Sequence, residues 1–431
     1  MKVCLISEYF YPDNAGGTGT VLSSLVRQLK DTYQDLEIEV ITSCNVYRGE
    51  QEKLASVENW DGVNIHRVNV PKAHPSSIKK RLITNFQFTF LVFKKMLRRG
   101  GYDLVLVSTA PPSMPMAAKA FKQLTGTPYV YIVYDLYPDI AVALDVLEPQ
   151  SKPARVFRKL QKGWLHGASR TVVLGRCMAD YLHKKYDLPT EKTRVIAVGA
   201  DTKKVVPSPK NSNFRKVNGL NGFVVLWAGN FGFYQDFDSI LDSAKVLQET
   251  HPDITFAFVG DGAKRSYIVD RIKTEGITNA RLFPFVPEED FSDMLASADV
   301  SLVALEPGSE GLGVPSKFYN ILASGRPVVA LVDPLSEVSR VIDESGCGVR
   351  SERDGNLLAE TLVNLRDNPD KVEAMGHNAR EVCEKKYSID HVCHHFYNVI
   401  QSVPLGLRAS RPILRMHYGL QRKSDKPESL I

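Results

Sequence analysis

The feature that most limits what this chain can become is a strand-then-helix alternation that runs twice, once on each side of a polar stretch. Short apolar runs that read as strands recur at 3–7, 38–42, 63–68, 104–107, 129–133, 170–173 and 194–198. After a loop-like linker at 198–221 they resume at 223–227, 255–259, 280–283, 300–304, 327–331 and 348–350. Helical patterns fill the spaces, among them 20–30 (Val21, Leu22, Leu25, Val26 and Leu29 on one face), 236–249, 288–296, 369–385 and 390–402. Strands that alternate with helices predict parallel sheets covered on both faces. A length of 431 residues exceeds one core and suits two α/β domains, 1–205 and 206–387. In such a pair, ligands sit at the carboxyl ends of the strands, facing across a cleft.

Charge is unevenly spread. From 62 to 102 there is no acid but nine cations: Arg67, Lys72, Lys79, Lys80, Arg81, Lys94, Lys95, Arg98 and Arg99. Residues 391–424 again lack acids and carry Arg408, Arg411, Arg415, Arg422 and Lys423, while the rest of the chain is net acidic. Concentrated positive charge predicts contact with an anionic surface. Within 78–99, Leu82, Phe86, Phe90, Phe93 and Leu97 form one helical stripe, and Ile83, Phe88, Leu91 and Val92 lie outside it. That helix needs two apolar contacts. One is its own sheet; the other is either a further surface within the same domain, burying the helix on both sides, or an anionic bilayer. No apolar run reaches the roughly 20 residues of a spanning helix. The opening MKVCLISEYF reads as a strand, not a signal peptide. None of the six cysteines forms a CxxC pair, so reduced thiols are expected, not disulfides or a zinc site. The histidines 391, 394 and 395 fall in a helical pattern without a second ligand group, so no metal is expected there. No nucleic-acid recognition motif accompanies the basic segments.

Four segments carry candidate chemistry. Gly16 and Gly17 lie in a loop between the first strand and its helix. Gly229, Asn230 and Gly232 follow the first strand of the second half, and Gly262, with Lys264 and Arg265, follows the next. Glycines there let backbone approach a ligand, although an ordinary strand–helix turn reads the same. The richest segment is 310–329, EGLGVPSKFYNILASGRPVV. It places Glu310 in a glycine-rich turn and starts a helix at Pro315-Ser316-Lys317. Such a helix start offers unpaired N–H groups and a cation to one anion, most naturally a phosphate. A cation in a first turn is unfavourable unless an anion offsets it, which argues against Lys317 as an ordinary surface lysine. Asp135, after a strand, is equally readable as a helix cap, and Asp139 more so.

Read together, Tyr11-Pro12 with Gly16-Gly17, Gly229–Gly232, Val259–Gly262, and Glu310 through Pro327 resemble the family-4 retaining glycosyltransferases of the GT-B fold. Pro315-Ser316-Lys317 and 134–139 (YDLYPD) resemble the branch that builds bacterial capsule, O-antigen and exopolysaccharide. The resemblance covers the chain to about residue 402. It implies two Rossmann-like domains facing across a cleft, with a last helix, about 388–402, returning to the first domain. It implies a nucleotide-sugar donor, a UDP-sugar above others, and a glycan or lipid-linked acceptor at the cytoplasmic face of the membrane, with no metal and no cofactor. Glu310 would hold donor hydroxyls. Gly16, Gly17 and Ser316 would face the diphosphate, and Asp135 the acceptor. In such enzymes the leaving phosphate takes the proton of the incoming hydroxyl on the same face.

Two positions depart from the family pattern. Where a second glutamate usually holds the ribose stands Asn320, a neutral hydrogen-bonding partner. The loop 230–235, NFGFYQ, lacks the usual Arg and Lys, so Lys317, helped by Lys264 or Arg265, is expected to clamp the diphosphate, with Arg326 a weaker choice. These departures keep open a non-catalytic nucleotide-sugar-binding protein. A UDP-sugar 2-epimerase of the same fold is a further alternative. The basic tail 403–431 is expected to be partly disordered and to join 78–99 at the membrane.

Overall fold

The computed structural model describes residues 1–12, 17–45, 54–70, 78–308 and 311–405. Glu310, Gly16 and most of the basic tail lie outside these. Eight strands make the first sheet: β1 (Lys2–Ile6), β2 (Glu37–Ser43), β3 (Val57–Trp60), β4 (Val63–Val68), β5 (Leu104–Ser108), β6 (Tyr129–Val133), β7 (Arg170–Val173) and β8 (Thr193–Val195). Six make the second: β9 (Phe223–Ala228), β10 (Ile254–Val259), β11 (Ala280–Phe283), β12 (Val300–Ala304), β13 (Val328–Leu331) and β14 (Gly348–Arg350). Their orders are β3-β4-β2-β1-β5-β6-β7-β8 and β11-β10-β9-β12-β13-β14. Every neighbouring pair is parallel except β3 with β4.

Each order turns back once, between β1 and β5 and between β9 and β12. Successive connections there leave on opposite sides, which opens a crevice at the carboxyl ends of those strands. The loops after β1, β5, β9 and β12 therefore become the natural places for a ligand.

Alternate residues of the first sheet feed two cores. Val3, Leu5, Leu104 and Leu106 pack with Leu22 and Val26 of the helix Gly17–Thr32. Cys4, Ile6, Val105 and Val107 pack with Phe88, Val92 and Met96 of the helix Ile78–Arg99. Both faces are covered, which is why these strands read as unbroken apolar runs instead of alternating ones. The first core continues past the linker into the second domain through Ile196, Val205, Leu226 and Phe318.

The helix Ile389–Gln401 lies back on the first domain. The rings of Tyr33 and Tyr397 stack at 3.7 Å and 3°, and Gln28 Nε2 donates to Asp390 Oδ1 at 2.6 Å. The crossing is pinned where Ala200 N donates to Tyr387 O and Ile389 N donates to Ala200 O, both at 2.8 Å. On this helix His391 Nε2 and His395 Nε2 stand 2.9 Å apart and His394 bonds Tyr33 and Asn398. Among the described residues no three His, Cys, Asp or Glu side chains are grouped to hold a metal, and no helix is long and apolar enough to cross a membrane. All six cysteines are free and buried.

The short helix Asn213–Val217 falls inside the expected linker, and β3 was not expected, although β4 was; the two strands form a hairpin. Its turn is Asp61-Gly62, with φ of 50° and 84°. Two left-handed residues make the tight turn that matches strand twist, and Asp-Gly is a favoured pair for it. The helix expected from 20 begins instead at Gly17, and β8 ends at Val195, short of 198.

Candidate active site

The helix Lys317–Ala323 follows β12 and points its first turn into the crevice. Lys317 Nζ lies 3.1 Å from the centroid of the Trp227 ring, near the end of β9. That atom is shut off from solvent and has no hydrogen-bond partner. Burial pulls its pKa well below the ordinary lysine range. The ring face attracts the cation, but the start of a helix repels it. An anion entering here replaces the missing partner. Asn320 is half-buried three residues on, on the same side of the helix.

The glycine turns after β9 and β10 interlock. Phe231 N donates to Asp261 O at 2.9 Å and Lys264 N to Phe231 O at 2.8 Å. A Cβ on Gly262 would stand 2.6 Å from Phe231 O and 2.7 Å from Asn230 Oδ1, and one on Gly232 would stand 2.8 Å from Asn230 Nδ2. Gly262, at φ 157° and against the Phe231 main chain, is thus needed so that one loop can lie on the other, whereas Gly232 meets only side-chain ends of its own loop. Only Gly229 faces the lysine, where a Cβ would be 3.5 Å from Lys317 Cε, an ordinary contact.

The opposite wall comes from the first domain. A Cβ on Gly17, the first residue of its helix, would stand 3.9 Å from Ser316 Oγ. Asp135 follows β6, and its N and that of Tyr134 donate to Thr109 Oγ1 at 3.3 Å. Burial pushes the Asp135 carboxyl up to about 6. A Cβ on Gly313 would come 3.4 Å from Asp135 Oδ1, and Leu136 N donates to Leu312 O at 3.0 Å. The loop that leads into the lysine helix therefore touches both domains. A second bridge lies behind it, where Glu337 accepts from Arg176 N at 2.6 Å and Nε at 3.0 Å.

Comparison with known proteins agrees with this geometry. Residues 16–199 match the glycosyl transferase 4-like domain and residues 210–382 the glycosyl transferases group 1. The Pseudomonas aeruginosa protein named "Probable glycosyltransferase WbjE" is 30% identical over 73% of this chain and 79% of its own. This chain belongs to the family-4 glycosyltransferases of the GT-B fold. WcaI of Escherichia coli, named for colanic acid biosynthesis, is 22% identical over 93% of this chain and all of its own. Anabaena HepE, solved in complex with UDP and glucose, superposes with a TM-score of 0.69 at 15% identity, over 93% of this chain and all of its own.

Within this transferase several expected site residues have other employment. Lys264 is engaged: its Nζ donates to Glu306 Oε1 at 2.7 Å and to Gln235 O at 2.8 Å, so it braces two loops instead of offering a free charge. Arg265 is half-exposed, 3.8 Å from Asp261, although its Nη1 is buried without a partner. Arg326 is buried behind the site, donating to Ser208 O and Ala296 O. Asp139 is a buried acceptor for Tyr186, Lys185 (2.6 Å) and Arg158 (3.4 Å), not a cleft residue. The partners Trp227, Thr109 and Glu306 escaped the sequence reading, because each meets its residue across more than twenty intervening positions.

Proposed function

We propose that this glycosyltransferase moves a sugar with retention from a UDP-sugar to a glycan or lipid-linked acceptor in bacterial polysaccharide biosynthesis, at the cytoplasmic face of the membrane. The observation that carries it is the buried, unpartnered ammonium of Lys317 beside Gly229 and Ser316. A diphosphate set there accepts from that ammonium and from the N–H groups of the helix start, and charge that builds on the leaving phosphate is stabilised as the sugar departs. The bond from the anomeric carbon to the diphosphate breaks and the bond to the acceptor oxygen forms on the same face. The proton of the acceptor hydroxyl passes to the leaving phosphate.

In this reading Glu310 holds donor hydroxyls and Asn320 a ribose hydroxyl, while Asp135 receives the acceptor. The chemistry needs orientation and a fixed cation, and the chain supplies both without a metal. A relative named for colanic acid biosynthesis and a neighbour solved with UDP support the setting and the base.

The test is a thermal-shift series with UDP, GDP, ADP and their sugars. A ligand that binds only the folded state raises the melting temperature, by an amount that grows with its concentration over Kd. A selective shift with UDP and one UDP-sugar is expected. A selective shift with GDP would replace the base, and no shift with any of them would remove the transferase donor site from this cleft.

A further inference from the structure

The helix Ile78–Arg99 is apolar on two opposite sides, and only one side is used by the fold. Phe88, Val92 and Met96, spaced four apart, are buried in the core beneath the first sheet. On the other side Leu82, Phe86 and Phe90 repeat the same spacing, with Ile83 beside them. These four are 52%, 49%, 62% and 58% exposed in that order. Lys80 and Arg81 lie exposed at one end of this strip, and Lys94 and Arg98 at the other. The helix contains no acid, nor does any position from 62 to 102. Arg99 does not belong to the strip, since it turns inward to Glu39 at 3.0 Å.

We propose that this outer face docks flat on an anionic lipid bilayer and presents the cleft to it. This inference rests on the transferase reading above and names the surface from which its acceptor comes. Apolar side chains in the middle with cations at both ends match an interfacial helix, whose apolar side enters the headgroup boundary while the cations meet anionic headgroups. An exposed apolar strip on a soluble surface is otherwise unfavourable. A protein partner would call for no acid-free margin. The helix is too polar to cross the membrane, so the contact is lateral.

Its place in the fold gives the contact a use. The helix feeds β5, and β5 runs toward the cleft, so the first half of the helix lies at the cleft end of the sheet. Ser113, in the loop after β5, donates to Asn85 O at 3.3 Å and shares a 2.7 Å hydrogen bond with Thr89. Four residues before Ser113 stands Thr109, the hydroxyl that accepts from Asp135 N. The apolar strip and the acceptor wall are thus two sides of one short loop. A lipid-linked acceptor held in the bilayer under this helix has its sugar end next to Asp135.

The experiment is co-sedimentation of the full chain with phosphatidylglycerol–phosphatidylcholine vesicles and with phosphatidylcholine vesicles alone. The wild type is expected to bind the anionic vesicles about ten-fold or more strongly, with binding falling as salt rises from about 0.1 to about 1 M. Phe86→Ser with Phe90→Ser is expected to lose about ten-fold or more of that binding. Lys94→Ser with Arg98→Ser should lose several-fold and flatten the salt dependence. All four positions are exposed, and unchanged melting temperature and circular dichroism verify folding. No preference of the wild type for anionic vesicles, or undiminished binding by the phenylalanine variant, overturns the proposal. So does a wild-type dimer that the phenylalanine variant dissociates, which would make a second copy the occupant. The UDP thermal shift is measured on the same samples. A shift retained while vesicle binding is lost supports both readings. Vesicle binding without any nucleotide shift retains the lipid surface and discards the donor site.

Discussion

The two walls of the cleft hold ionisable groups of opposite sign under the same strain. On the second-domain wall the Lys317 ammonium is buried over the Trp227 ring with no hydrogen-bond partner. On the first-domain wall the Asp135 carboxyl is held by burial at about 6. A few residues away Lys264, equally near the glycine loops, is neutralised by Glu306. Among the described residues, Lys317 at the cleft wall is left without a partner, whereas the Arg176–Glu337 pair that bridges the domains behind it and the Lys264–Glu306 pair that braces two loops are neutralised. Unpaired charge weakens the empty protein and strengthens its grip on whatever completes it.

The largest expected effect sharpens this contrast from outside the described residues. Glu310→Ala should lower transfer by about 100-fold or more, because the function proposed above has it hold donor hydroxyls, with the melting temperature of the empty protein unchanged. Wild-type turnover in a radiolabelled-donor assay would take Glu310 out of the site. Next, Lys317→Met should weaken UDP by about ten- to 100-fold in calorimetry while costing the unliganded protein no stability, since an apolar side chain replaces an unpaired cation. Clear destabilisation without ligand, with UDP affinity intact, would make Lys317 a packing residue.

Asp135 breaks or keeps the other half of the comparison through pH. Its folded value lies above the ordinary carboxyl range of about 3.9. Between those values the native state binds more protons than the unfolded one, so stability falls as pH rises from about 4 through about 6 and then levels. Asp135→Asn should remove that fall and stabilise the protein above pH 6 by about 1–2 kcal/mol, less than full linkage because the residue is partly open to the cleft. Equal melting curves for variant and wild type across that range would show a carboxyl that burial does not perturb. The smallest effect is Lys264→Met: a loss of about 0.5–1 kcal/mol of stability and under about three-fold in UDP affinity. A loss of UDP affinity matching that of Lys317→Met would erase the distinction between the two lysines.

Much of this architecture was open to inspection in the chain itself. Parallel strands buried on both faces are largely apolar along their length, so β1, β5, β6, β9, β10 and β12 stand out. The edge strand β3 did not, although Asp61-Gly62 was a usable signal between Trp60 and Val63. Lys317 was legible because its placement at a helix start is a local fact. Its ring partner was not, since Trp227 is brought there by the pairing of β9 with β12. The pairing of Lys264 was hidden for the same kind of reason: Glu306 reaches it across 42 positions. Of the expected stripe on the basic helix, Leu82, Phe86 and Phe90 are exposed, but Phe93 and Leu97 pack on the core and Ile83 joins the outer side, a division only the fold could show.

The joint between Leu136 and Leu312 has a consequence for inheritance. It is made by a main-chain N–H and a main-chain oxygen, so it carries no side-chain identity. Both side chains are buried in the core, so the positions can exchange among apolar residues over generations without cutting it, whereas the side-chain half of the Arg176–Glu337 bridge is lost by one change at either end. Proline at 136 is the exception, because it alone lacks the donor. A lineage can therefore rewrite the side chains around Asp135 while the main-chain joint between the two domains goes on being copied unaltered.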